Sequence, residues 1–199
     1  MSAHLRRMLL IGVTVLSAAV LGFLLLSPSS LAFQREHAMR VTLITVEHVH
    51  VTSEKPFDQV TKAFVEQLGR EPGSNKDLAA GTDPEKLRAK LKAAEGSSGF
   101  MLFTTYDHGA LLRLAGQKRR AIQYVVGNPL FALEMTQHEI RDSLYAPLRV
   151  LIYEEANGKT RIEYDKPSNL FGQFGNEKAT EVARMLDRKL EALVSASIQ

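Results

Sequence analysis

Cysteine and tryptophan are both absent from this chain. Without cysteine there can be no disulfide, thiolate zinc site, iron–sulfur cluster, cysteine nucleophile or lipid-modified N-terminal Cys. Charge of one sign is also scarce: 25 Lys and Arg stand against 22 Asp and Glu over 199 residues, a formal net charge of +3. Arg6 and Arg7 account for two of those charges, because residues 1–32 contain no acid. The rest of the chain is nearly neutral, so no basic face for nucleic acid is expected. Catalytic signatures are missing as well. The chain has no Gly-x-Ser-x-Gly elbow, no phosphate-binding Gly-x-x-x-x-Gly-Lys-Ser/Thr run, no Gly-x-Gly-x-x-Gly fingerprint and no His-Glu-x-x-His. No cofactor is therefore expected. Low-complexity segments and internal repeats are also lacking. The apolar fraction of 45% with 24% charged residues is that of an ordinary globular domain.

The one long apolar run lies at the start. Residues 8–26 carry no charge, and as a helix would span about 28 Å, close to a bilayer's hydrocarbon core. Arg6 and Arg7 precede it, and Ser27-Pro28-Ser29-Ser30-Leu31-Ala32 comes directly after it. Two readings fit: an uncleaved signal anchor, or a signal peptide cut after Ala32. Both place the N-terminus in the cytoplasm and the rest outside the cytoplasmic membrane, in the envelope or secreted. The expected organisation is residues 1–32 as anchor or signal, 33–40 as a polar linker, and 41–199 as one domain.

Within that domain, Val41 to Thr52 is rich in β-branched residues and reads as a strand. Phe57, Val60, Thr61, Phe64 and Leu68 give the spacing of an amphipathic helix ended by Gly69. Residues 70–82 read as a loop, and Asp83-Pro84 as the cap and first turn of a helix through Leu87 and Leu91. Phe100 to Tyr106 reads as a strand, Asp107 as the cap of a short helix closed by Gly116, and Ala121 to Val126 as a third strand. Leu130 to Gln137 is expected to be helical. Leu148–Glu154 and Thr160–Tyr164 form a hairpin around Asn157-Gly158. Lys166 to Gly175 reads as a loop before a final helix bearing Ala179, Val182, Ala183, Leu186, Leu190 and Leu193 along one side. This order predicts an α+β fold, mainly an antiparallel sheet with helices packed on one face.

Several short motifs occur together: Lys55-Pro56-Phe57, Tyr106-Asp107-His108-Gly109-Ala110, Gly127-Asn128-Pro129, Ala146-Pro147 leading into Leu148–Glu154, Asn157-Gly158 and Tyr164-Asp165-Lys166-Pro167. In order and spacing they resemble domain-of-unknown-function family 302 over about residues 45–195. The resemblance implies a TATA-binding-protein-like α+β domain built as strand, helix, four strands, helix, and it implies no reaction. Segment 70–98 is longer than the family pattern.

Candidate chemistry is sparse. If a ligand site exists, the expected residues are Asp107, His108, Asn128, Tyr164 and Pro167, each at a strand end or just beyond one. His48 and His50 point to one face of a strand and could supply two ligands to zinc or copper. Glu47 falls on the opposite face and His37 lies in the linker, so a third ligand is not evident. The leading expectation is a non-enzymatic module that binds a small molecule or a protein partner. The alternatives are an enzyme using Asp107 and His108 as an acid–base pair on a small polar substrate, and a metal-handling protein using His48 and His50. Self-association as a homodimer through an open sheet edge is a further expectation.

Overall fold

The computed structural model describes residues 39–199, so the apolar run 8–26 and the cut after Ala32 lie outside the described residues. Among the described residues no helix is long and apolar enough to cross a membrane. The folded unit runs from Ile44 to Gln199. Its strands are β1 (His48–Ser53), β2 (Gly69–Arg70), β3 (Met101–Asp107), β4 (Ala121–Gly127), β5 (Leu148–Glu154) and β6 (Thr160–Asp165). Its helices are α1 (Phe57–Glu66), α2 (Ser74–Ala79), α3 (Pro84–Ala93), α4 (His108–Leu112), α5 (Pro129–Thr136), α6 (Pro167–Gly172) and α7 (Glu177–Ile198). The strands form one six-stranded sheet in the order β1-β6-β5-β4-β3-β2. Every pairing is antiparallel except the short parallel β2–β3 contact. The fold is therefore α+β, with strand, helix, four strands and helix as its spine.

Alternation along the strands defines the core. Tyr124, Val126, Val150, Ile152, Ile162 and Tyr164 point to one face, where they meet Phe57, Val60 and Phe64 of α1, Phe171 of α6, and Ala179, Ala183, Leu186, Leu190, Leu193 and Val194 of α7. The α7 residues recur at helical spacing, and each fully buried Leu contributes about 1.5–3 kcal/mol. Asn176 caps α7 by accepting the Ala179 N–H at 3.2 Å. The hairpin between β5 and β6 closes at Gly158, whose φ of 83° suits glycine.

Four expectations need correction. Residues 41–47 are not strand, because β6 offers partners only to His48–Ser53; a ladder ends where its partner ends. Residues 70–82 hold β2 and α2 rather than a plain loop. Residues 166–175 likewise contain α6, since Pro167 occupies the first helical turn and Leu170 and Phe171 are buried. Helices do not all lie on one face. Met101 and Leu102 are successive strand residues and so point to opposite faces. Leu102 joins the main core, whereas Met101 forms a second cluster with Leu87 and Leu91 of α3, flanked by Ala94 and Leu130.

Two glycines lock this second layer against the sheet. A Cβ on Gly69 would lie 1.8 Å from the Ala94 carbonyl oxygen, and one on Gly96 would lie 2.2 Å from that of Gln67. The crossing lets both N–H groups donate to the Phe100 carbonyl, at 2.9 Å and 3.2 Å. Phe100 is thereby pinned at the mouth of β3.

Candidate functional site

Where β3, β4 and β5 meet α5, an apolar cavity of about 320 Å³ opens. Phe100, Phe103, Phe131, Met135, Phe171 and Leu186 supply most of its wall, and Gly127, Ala132 and Pro147 supply its narrow side. The strand residues arrive there for local reasons. β3 has a register shift between Leu102 and Thr104, so Phe103 is the extra residue of a bulge. The missing side chain of Gly127 leaves room, because a Cβ there would meet Phe103 at 3.4 Å and Pro147 at 3.2 Å. Phe100 and Phe131 pack edge to face with ring centroids 6.2 Å apart, a favourable aromatic arrangement.

Among the described residues, Asn128 is the one polar side chain in this wall. It is buried and caps α5, accepting the Leu130 N–H at 2.8 Å. Its Nδ2 donates to Glu95 Oε1 at 2.8 Å and to the Gly99 carbonyl at 2.9 Å. The amide of Asn128 is thus taken up by the protein itself. Burial opposes ionisation of Glu95, yet the hydrogen bonds from Lys92 and Asn128 hold its carboxyl below the usual range. Lys189 stands outside the wall with its ammonium 5.5 Å from the Phe131 ring.

Of the five residues expected to form a site, only Asn128 lines this cavity. Tyr164 is buried on the inner face of β6, within the main core. Burial pushes its phenol up, helped by the negative charges of Glu191 and Asp187. Pro167 is buried at the start of α6. Asp107 and His108 are exposed at the other end of the sheet: Asp107 pairs with Ile122, whereas Gly127, next to Asn128, pairs with Met101. Six strand residues separate those ends, about 20 Å. Asp107 caps α4, accepting the Ala110 N–H at 2.7 Å.

On the opposite sheet face His48 sits between two carboxylates. Its Nδ1 is 2.9 Å from Asp165 Oδ1 and its Nε2 is 3.3 Å from Glu163 Oε2. The hydrogen bond to Asp165 raises its pKa; burial opposes this, and the weaker contribution of Glu163 adds to the rise. Both ring nitrogens are engaged, and among the described residues no group of three or more His, Cys, Asp or Glu is arranged to hold a metal.

Two features escaped the sequence reading. The helix expected over Leu130–Gln137 is α5, but its role as a cavity wall was not read. It carries Leu130 toward α3 and Phe131, Ala132 and Met135 toward the cavity, and apolar residues on more than one of its sides were the available signal. The second is Asp142, which is fully buried in the 3-10 turn Ile140–Leu144 between α5 and β5. Neither of its carboxylate oxygens has a hydrogen-bond partner. Burial, reinforced by the charge of Glu139 and opposed by Arg141, pushes its pKa up to about 6. The segment holding Asp142 begins just after Met135 and ends at Ala146, both of which line the cavity.

Comparison with known proteins agrees with this architecture. A crystal structure of an uncharacterized conserved DUF302 protein from Bacillus stearothermophilus superimposes with a TM-score of 0.54 at 18% identity, covering 75% of this chain and 97% of that one. At that identity the likeness speaks for the fold alone. No curated protein matches the chain. The sequence pattern of the family described as Domain of unknown function DUF302 matches residues 76–196. With more than half its length matched and the same fold in a solved member, this chain belongs to the DUF302 family.

Proposed function

We propose that the folded unit is a non-enzymatic binding module whose ligand is a small, predominantly apolar molecule seated in the cavity beside α5. One observation carries this reading. The cavity, about 320 Å³, has an apolar wall, and the amide of its single polar side chain, Asn128, is already bonded to Glu95, Gly99 and Leu130. Such a wall favours transfer of apolar surface from water and gives a charged ligand nothing to pair with. Its volume falls at the lower end of the range for small-molecule sites. The acid–base reading of Asp107 and His108 gains no comparable support, because Asp107 is occupied as a helix cap. The uncharged run 8–26 behind Arg6 and Arg7 supports a location outside the cytoplasmic membrane, either anchored there or released after Ala32.

The test is titration with the neutral apolar fluorophore N-phenyl-1-naphthylamine. We expect one saturable site, with aliphatic or aromatic competitors displacing the dye. Ala132 lines the cavity, so Ala132→Trp should fill it and abolish dye binding while leaving the circular dichroism spectrum unchanged. Dye binding that survives Ala132→Trp, or is absent from the parent protein, overturns the reading.

A further inference from the structure

The two edges of the sheet are treated differently. At one edge stands β2, only two residues long. Short edge strands of that kind are a common protection against unwanted strand addition. At the other edge stands β1, His48-Val49-His50-Val51-Thr52-Ser53, with no Lys, Arg, Asp, Glu or Pro in it. Its six-residue register with β6 is unbroken, so no bulge turns the edge away. Among the described residues, this edge therefore carries no Lys, Arg, Asp, Glu or Pro within its strand and no bulge.

The direction of its free backbone groups is set by the ladder. Lys166 N–H donates to the Glu47 carbonyl at 3.0 Å, which makes Glu47 and Lys166 a hydrogen-bonded pair. Hydrogen-bonded pairs alternate in an antiparallel ladder. The inward-bonding residues of β1 are therefore Val49, Val51 and Ser53, opposite Tyr164, Ile162 and Thr160. The β5–β6 hairpin agrees: Glu155 N–H donates to the Lys159 carbonyl at 2.8 Å, which turns the even-numbered residues of β6 toward β1. The backbone N–H and C=O groups of His48, His50 and Thr52 consequently face away from the sheet.

We propose that two copies of this chain join their sheets by antiparallel pairing of β1 with β1, on a two-fold axis at His50. The outward-facing residues are spaced symmetrically about His50, so the strand is complementary to itself. His50 meets His50 of the second copy, and His48 meets Thr52 twice, giving three hydrogen-bonded pairs and about six hydrogen bonds. The same register sets Val49 opposite Val51 across the seam. Both valines are half-buried against the main core, so pairing extends the apolar inner face from one sheet into the next. A shift of two residues leaves outward groups unpaired, and a shift of one turns the wrong face inward. An unrelated strand has no such requirement to match, which is why the second copy is the occupant.

Because the chain has no cysteine, single-cysteine variants of the full chain in detergent read the contact directly. With a short bismaleimide, His50→Cys should crosslink to a species of twice the mass. A mixture of His48→Cys and Thr52→Cys should yield at least ten times more heterodimer than either variant yields homodimer. Leu111→Cys, exposed on α4 and remote from β1, should give only background. His50→Pro removes only an outward N–H, which an edge strand tolerates; it should reduce the dimer at least tenfold with the melting temperature unchanged. His50→Lys, which sets two like charges face to face, should do the same without touching the backbone. The proposal is overturned by yields at His50 no higher than at Leu111, by a dimer that survives both His50 substitutions, or by crosslinks formed only to other proteins.

Discussion

Replacing Asp142 by Asn should stabilise the protein, and the gain should grow with pH. The carboxyl is fully buried with both oxygens unpaired, and its pKa stands at about 6 against an ordinary 3.8. The fold therefore prefers the neutral acid. That preference is fully present below about pH 3.8, where the group is protonated in both states, and is lost as pH rises through about 6. A difference of about two pKa units, at 1.36 kcal/mol each, amounts to about 3 kcal/mol of cost for the buried charge at pH 7.5. The amide that replaces the carboxyl carries no charge at any pH. The stability difference between variant and parent should thus be near zero at pH 4 and reach about 3 kcal/mol at pH 7.5, about 6–12 °C in Tm. Other carboxylates titrate in both proteins and cancel in the difference. Urea unfolding at several pH values between 4 and 8, followed by circular dichroism, measures it. A difference that does not change with pH, or a variant less stable than its parent at pH 7.5, would show that the carboxylate is paired and refute the reasoning.

Three further substitutions test the glycine crossing beside β3 and the α4 cap at the other end of the sheet. Gly96→Ala should destabilise by at least about 2 kcal/mol in thermal or urea unfolding, because its Cβ would lie 2.2 Å from a backbone carbonyl that cannot swing aside. Asp107→Ala should lower stability by about 1 kcal/mol through loss of the α4 cap. His108→Ala should leave both stability and dye binding unchanged; a loss of dye binding would restore His108 to the site.

Much of the architecture was legible in the chain because it depends on local periodicity. The spacing of Phe57, Val60 and Phe64 and that of Ala179 through Leu193 require one-sided helices, and Asn157-Gly158 requires a tight hairpin. The caps Asp83, Asp107, Asn128 and Asn176 also lie where their residue types place them. Asn128 was legible as a strand-end residue, but its amide proved bonded to Glu95 and Gly99, groups about 30 residues away in sequence.

What sequence alone could not decide are the properties that need a partner distant in the chain. Val41 to Val46 has the composition of a strand, yet a strand exists only where β6 reaches it, at His48–Ser53. Asp107 and Asn128 look equivalent as caps at strand ends, but the antiparallel register puts them at opposite ends of the sheet. The cavity gathers Phe100, Phe131, Pro147, Phe171 and Leu186 from separate elements, and no local pattern marks a space between elements. Asp142 lies in the mostly polar run 137–143, and only the packing of its turn removes it from water. Local rules choose conformations residue by residue, whereas burial depends on how the whole chain closes around each residue.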